Sequence, residues 1–139
     1  MSRFVRFRVL AVLLACVLSV ACTPQPRTFS PDQVSTAAIL LEARVNADRG
    51  KIIGNDFRVR GATRKNNVVT MNLQMLNERV VALARQQPDL FGRITTAVIA
   101  RDLCSARNTR DLINSGLQLN IRFFVSANRS LFTSAINRC

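Results

Sequence analysis

Histidine, tryptophan and tyrosine are all missing from this chain of 139 residues. Without histidine, neither a Ser-His-Asp nor a Cys-His arrangement can be assembled, and a zinc site would lack its usual imidazole. Glycine is sparse as well. Gly50, Gly54, Gly61, Gly92 and Gly116 stand singly, form no phosphate-cradling loop, and each reads as a turn or helix-end residue. Acid is also in short supply: eight Asp and Glu face twenty Lys and Arg, for a formal charge of +12. A carboxylate hydrolase needs only two acids, so it passes this filter and would draw on two of Asp56, Glu78, Asp102 and Asp111. Local roles nevertheless account for several of the acids. Asp89 and Asp111 fall in the first turns of expected helices, where negative charge suits the helix dipole. Glu42 and Glu78 lie beside arginines on helical faces, the usual pattern of a solvated surface. The expectation is a protein that is not an enzyme, with no cofactor and no metal site.

What the chain does contain begins at its N-terminus. Arg3, Arg6 and Arg8 precede an uncharged apolar run at 9–21, and small residues lead into Cys22 before the chain turns polar. Basic zone, apolar zone and cleavage site, in that order, mark a secretory signal. A membrane-crossing helix needs about 20 apolar residues, and this run is shorter. Ser19-Val20-Ala21-Cys22 has the form of a relaxed lipobox, with Ser19 where leucine is usual. Leu13-Leu14-Ala15-Cys16 matches the leucine better, but it cuts the apolar zone to about seven residues and leaves 17–21 as an apolar stub. Ordinary cleavage after Ala21 is a third option.

The cysteines favour Cys22. The chain has four, Cys16, Cys22, Cys104 and Cys139. Cleavage before Cys22 leaves three in an oxidising compartment, and an odd thiol there requires a use. Thioether lipidation of Cys22 supplies one and leaves Cys104 and Cys139 to pair as a disulfide. The expected organisation is a signal peptide at 1–21, a lipidated tether at 22–29 and a single domain at 30–139.

Loss of the signal would leave 118 residues with a charge of +9, and eighteen of the twenty basic residues of the whole chain are arginine. They are scattered, with no aromatic stacking platform, and export leads away from nucleic acid, so no nucleic-acid partner is expected. Anionic headgroups or an acidic partner suit the charge, with binding weakened by salt. Solvated side chains of an arginine-rich composition explain it equally.

Ser30-Pro31-Asp32-Gln33 predicts a helix start: Ser30 as cap, Pro31 in the first position and Gln33 completing a capping box. Val34, Ala38, Leu41 and Val45 continue at helical spacing. The stripe suits either a core or a membrane surface, and the Asp32, Glu42 and Arg44 side favours the core. The period then changes to two. Phe57-Arg58-Val59-Arg60, and then Val69, Met71, Leu73 and Met75 beyond an Asn66-Asn67 turn, predict a hairpin over 56–75. Helices are predicted over 76–87, from Pro88 to 103, and from an Asn108 cap to Gly116. Leu117, Leu119, Ile121, Phe123 and Val125 alternate with polar residues, apart from Phe124, and a turn at Ala127-Asn128-Arg129 leads to a last strand over 130–137. Two hairpins with alternating faces predict an α+β fold: a four-stranded antiparallel sheet, helices on one face, closed by the Cys104–Cys139 disulfide.

The strand at 68–75, the helix end at Asp102-Leu103-Cys104 and the Gly116-led hairpin finishing on Cys139 form a layout that resembles small exported or lipid-anchored proteins of Gram-negative bacteria. Among them is the quorum-sensing-regulated virulence-factor family. More distantly, the layout is similar to the pilotins that escort secretion-channel subunits to the outer membrane. The likeness covers 57–139 and transfers no functional residue. It implies a periplasm-facing lipoprotein that serves as a tethered interaction module, its partner an unidentified envelope protein. Thr23 after Cys22 resembles outer-membrane sorting in Gram-negative systems. The alternative reading is direct binding of anionic lipid or peptidoglycan through arginines.

Overall fold

Helix α1 (Pro31–Ala47) starts where the capping residues predict. The Ser30 hydroxyl accepts the Gln33 N–H at 3.3 Å, and the Gln33 side chain accepts the Ser30 N–H at 2.9 Å. The computed structural model describes residues 25–139. The expected signal peptide, Cys16 and the lipidation at Cys22 lie outside the described residues. After α1 come strands β1 (Ile52–Ile53), β2 (Phe57–Lys65) and β3 (Val68–Met75). Helices α2 (Glu78–Gln86), α3 (Pro88–Ser105) and α4 (Arg107–Asn114) follow, and then β4 (Gln118–Phe124) and β5 (Ser130–Ile136).

The class is α+β, as expected, but the sheet differs from the four antiparallel strands in two ways. It has five strands, in the order β1-β2-β3-β4-β5. Its central pair, β3 and β4, runs parallel, while the other neighbours run antiparallel. Alternation assigns the faces of a strand and says nothing about its neighbour. Parallel neighbours need a crossover of a dozen residues or more, and α2, α3 and α4 supply it. β1 escapes prediction because two residues carry no period.

The first hairpin turns at Asn66, whose φ of 55° is the left-handed conformation that Asn tolerates. Val59, Val69, Leu73, Leu119, Ile121, Phe123 and Ile136 are buried on the helix-covered side of the sheet. There Phe123 stacks on Phe132 with ring centres 4.5 Å apart. Gly92 lies inside α3, not at a turn or helix end. A Cβ on it would stand 3.4 Å from the Phe132 ring, so glycine lets α3 approach β5 closely. On the other side of the sheet Arg58, Arg60 and Arg122 project, and among the described residues no strand contributes a carboxylate. Phe124, the exception to the alternation, carries the Arg60 guanidinium 4.3 Å above its ring.

Two further details depart from expectation. Asn108 sits within α4, which begins at Arg107 after an Ala106 cap that makes no side-chain bond. Asp111 is therefore in the body of α4 and is buried. Cys104, near the end of α3, and Cys139 lie at disulfide distance, with Cα atoms 5.6 Å apart.

Candidate functional site

Helix α1 packs on β2 and β3, and α3 packs on β5, α2 and α4. Between α1 and α3 a strip of sheet has no helix over it among the described residues. Met71, Leu73, Leu119, Ile121 and Phe123 floor an apolar cavity of about 800 Å³ there. Ala37 and Leu41 of α1 wall one side, Ile94, Val98, Ile99 and Leu103 of α3 the other, and Thr109 and Leu112 of α4 complete the wall. The floor is sealed, with Phe123 only 1% exposed. The lips are wet: Ile94 is 56% exposed, Ile53 50% and Val98 44%. It is a groove with a dry floor and an open mouth.

Its chemistry is limited to shape and apolar contact. Among the described residues the polar lining side chains are Thr95 and Thr109, and no carboxylate or cation lines it. The four acids considered for hydrolysis are elsewhere. Asp56 accepts from Asn77 Nδ2 at 2.9 Å, Glu78 is exposed at the start of α2, Asp102 is exposed beside Arg101, and Asp111 is buried within α4. Bond-making chemistry needs titratable groups converging on a pocket, and the groove offers none. Asp48, at the end of α1, does feel its surroundings: a hydrogen bond from Lys51, aided by the charges of Arg44 and Lys51, holds its carboxyl below the usual range. Among the described residues, no group of three or more His, Cys, Asp or Glu is placed to hold a metal ion, and no helix is long and apolar enough to cross a membrane.

A second feature lies alongside. Residues 25–29 run parallel to α4 and are bonded along it from Arg107 to its C-cap, Ser115. The Phe29 N–H donates to Ser115 Oγ at 3.0 Å, the Arg27 N–H donates to Asp111 Oδ2 at 3.2 Å, and the Arg107 guanidinium donates to the Gln25 carbonyl at 2.7 Å. Two tether residues pass for every four helical ones. An extended chain covers about 6.6 Å in two residues and a helix about 6 Å in four, so the two ladders keep step. Asp111 is 1% exposed, with Arg107 at 3.8 Å and Arg110 at 3.7 Å. Sequence reasoning took Asp111 for a residue suited to the helix dipole. The missed signal is the polar row Arg107, Asp111, Ser115, one residue per helical turn, beside the apolar Leu112 and Ile113. The groove was missed too. Ile94 and Val98 fall on the apolar face expected of the helix from Pro88, where they read as core.

No family model and no curated sequence matches the chain. Among solved structures, a candidate secreted protein from Pseudomonas aeruginosa is 17% identical, with a TM-score of 0.61 over 80% of this chain and 95% of that one. A pilotin of the type 2 secretion system of Vibrio vulnificus is 16% identical, with a TM-score of 0.52 over 75% of this chain and 84% of its own. At these identities the likeness is one of fold, and it agrees with the layout resemblance.

Proposed function

We propose that the protein is a non-catalytic lipoprotein of the cell envelope, anchored through Cys22, whose groove receives the apolar face of an amphipathic helix from another envelope protein. The observation that carries this reading is the open apolar groove with Ile53, Ile94 and Val98 on its lips. Exposed apolar surface of this kind marks a docking site when it is contiguous. A small apolar ligand would be enclosed over roughly 70–90% of its surface, whereas lips this wet cover one side of an occupant. A helix laid between α1 and α3, with anchors spaced three and four residues apart, matches that geometry. The fold shared with a type 2 secretion pilotin supports the reading. The partner belongs to the envelope because the export signal expected at 1–21 would deliver the chain there.

The test uses the full chain purified from membranes with its partner. Ile94→Asp combined with Val98→Asp changes exposed positions, so the fold is expected to persist. Wild type should co-purify an envelope protein that the double variant does not. Deletion of the gene should mislocalise that same protein. Capture unaffected by the double variant would remove the groove from the proposal.

A further inference from the structure

We infer that α4 is the face this protein lays against the membrane, its arginines meeting anionic phospholipid headgroups. The inference rests on the proposed lipidation of Cys22 and deepens it by assigning an orientation. Were residues 22–29 all free, the domain could present any face to the bilayer. They are not all free. Hydrogen bonds to Arg107 and Asp111 of α4 and to its C-cap Ser115 hold residues 25–29, and that of Arg107 to the Gln25 carbonyl secures the end nearest Cys22.

Chain geometry then bounds the distance. Three peptide steps lead from Gln25 back to Cys22, and an extended chain covers at most about 11 Å over them. A lipid on Cys22 therefore brings the headgroups to within roughly one Debye length of Gln25 and of the guanidinium that holds it.

The charges at that end suit the contact. Arg27 is exposed, and Arg107 and Arg110 are 40% and 43% exposed. The acid between them, Asp111, is buried at 1% and spends its charge inward on the two arginines and the Arg27 N–H. What reaches solvent from this row is basic. The opposite pole lies at the turn between β4 and β5, since the seven residues of β4 carry the chain about 20 Å away from the end next to α4.

The absence of Trp and Tyr makes the test clean, because one introduced Trp is the sole indole. Full-length lipidated protein carrying Asn108→Trp, on α4, or Asn128→Trp, in the β4–β5 turn, would be placed in phosphatidylethanolamine–phosphatidylglycerol vesicles with a headgroup spin label. The expected result is loss of most of the Asn108→Trp fluorescence and little of the Asn128→Trp fluorescence. Adding Arg27→Gln and Arg110→Gln, which spare the backbone bonds of the tether, should return the Asn108→Trp signal to its level on phosphatidylcholine. Equal quenching at the two sites overturns the inference. Stronger quenching at Asn128, the end where Arg60 reaches the Ser126 carbonyl, also overturns it and assigns the contact to the uncovered sheet face. Intact mass separates the two failures: a protein without lipid on Cys22 defeats the anchor and the inference together, while a lipidated protein with unquenched Asn108→Trp defeats the inference alone.

Discussion

Single polar side chains stand in for backbone partners at the places where helices meet the sheet. Asn46 is the clearest: its Nδ2 donates to the Ala62 carbonyl at 3.1 Å, and its Oδ1 accepts the Ala62 N–H at 2.9 Å. Ala62 is 5% exposed, so water does not replace those bonds. Asn46→Ala should therefore destabilise by about 1–3 kcal/mol for each orphaned group. The same brace constrains Gly61, which follows a bulge in β2 and has φ of +116°. A Cβ there would come within 2.7 Å of Asn46 Oδ1, so Gly61→Ala strains the backbone and displaces the brace at once. Because both substitutions remove one arrangement, their effects should fall short of additive. Urea titrations of the two single variants and the double variant measure that shortfall, and strict additivity would mean that Asn46 and Gly61 act apart.

At the scale of elements, legibility in the sequence followed the range of the interaction. The α1 capping box, the Asn66 turn and the alternation of β4 are local, and each stood in the residues that make it. The β3–β4 pairing is not local: it depends on where the crossover of α2, α3 and α4 delivers the chain, which no period records. The groove was illegible for a related reason. α3 is rich in weak helix formers, Ile94, Thr95, Thr96, Val98 and Ile99, and is held in place by tertiary contacts on one side. There Phe91 meets Phe132 edge-on at 5.7 Å, and Thr96 donates to the buried Ser134 hydroxyl at 2.6 Å. A stripe reads as core until the structure shows that half of it is uncovered. α4 gives the element-scale prediction. Asp111→Asn keeps an oxygen for the Arg27 N–H but removes the charge that Arg107 and Arg110 face. Severing a buried pair costs about 3–5 kcal/mol when the remaining charge stays buried. These arginines are about 40% exposed, stand at 3.8 and 3.7 Å, beyond hydrogen-bond reach, and can turn to water. The loss should therefore be nearer about 1 kcal/mol, the difference between a charged and a neutral acceptor for the Arg27 N–H. Urea unfolding measures it, and a loss below about 0.5 kcal/mol, the scatter of plain surface changes, would deny the carboxylate its structural part.

For the whole molecule, the bond proposed between Cys104 and Cys139 encloses the elements on which the functional account depends. The cysteines are 35 residues apart in sequence, and between them lie α4, β4 and β5: the docked tether's support and part of the groove floor. Closing a loop of that size adds about 4 kcal/mol on the chain-entropy model, a large share of a typical margin of roughly 5–15 kcal/mol. Reduction should therefore loosen the groove and the tether support together. The same bond decides the state of Cys22, because the thiols remaining after export must be accounted for as a set. Mature protein from membranes, denatured without reductant, should show no titratable thiol, with Cys104 and Cys139 bonded and Cys22 lipidated. Reductant should release two. A single thiol before reduction, with a mass matching cleavage after Ala21, would keep the closed domain and dissolve the anchor. Two thiols together with a lipid-bearing mass would do the reverse, leaving an anchored protein whose α4 and last hairpin are held by packing alone.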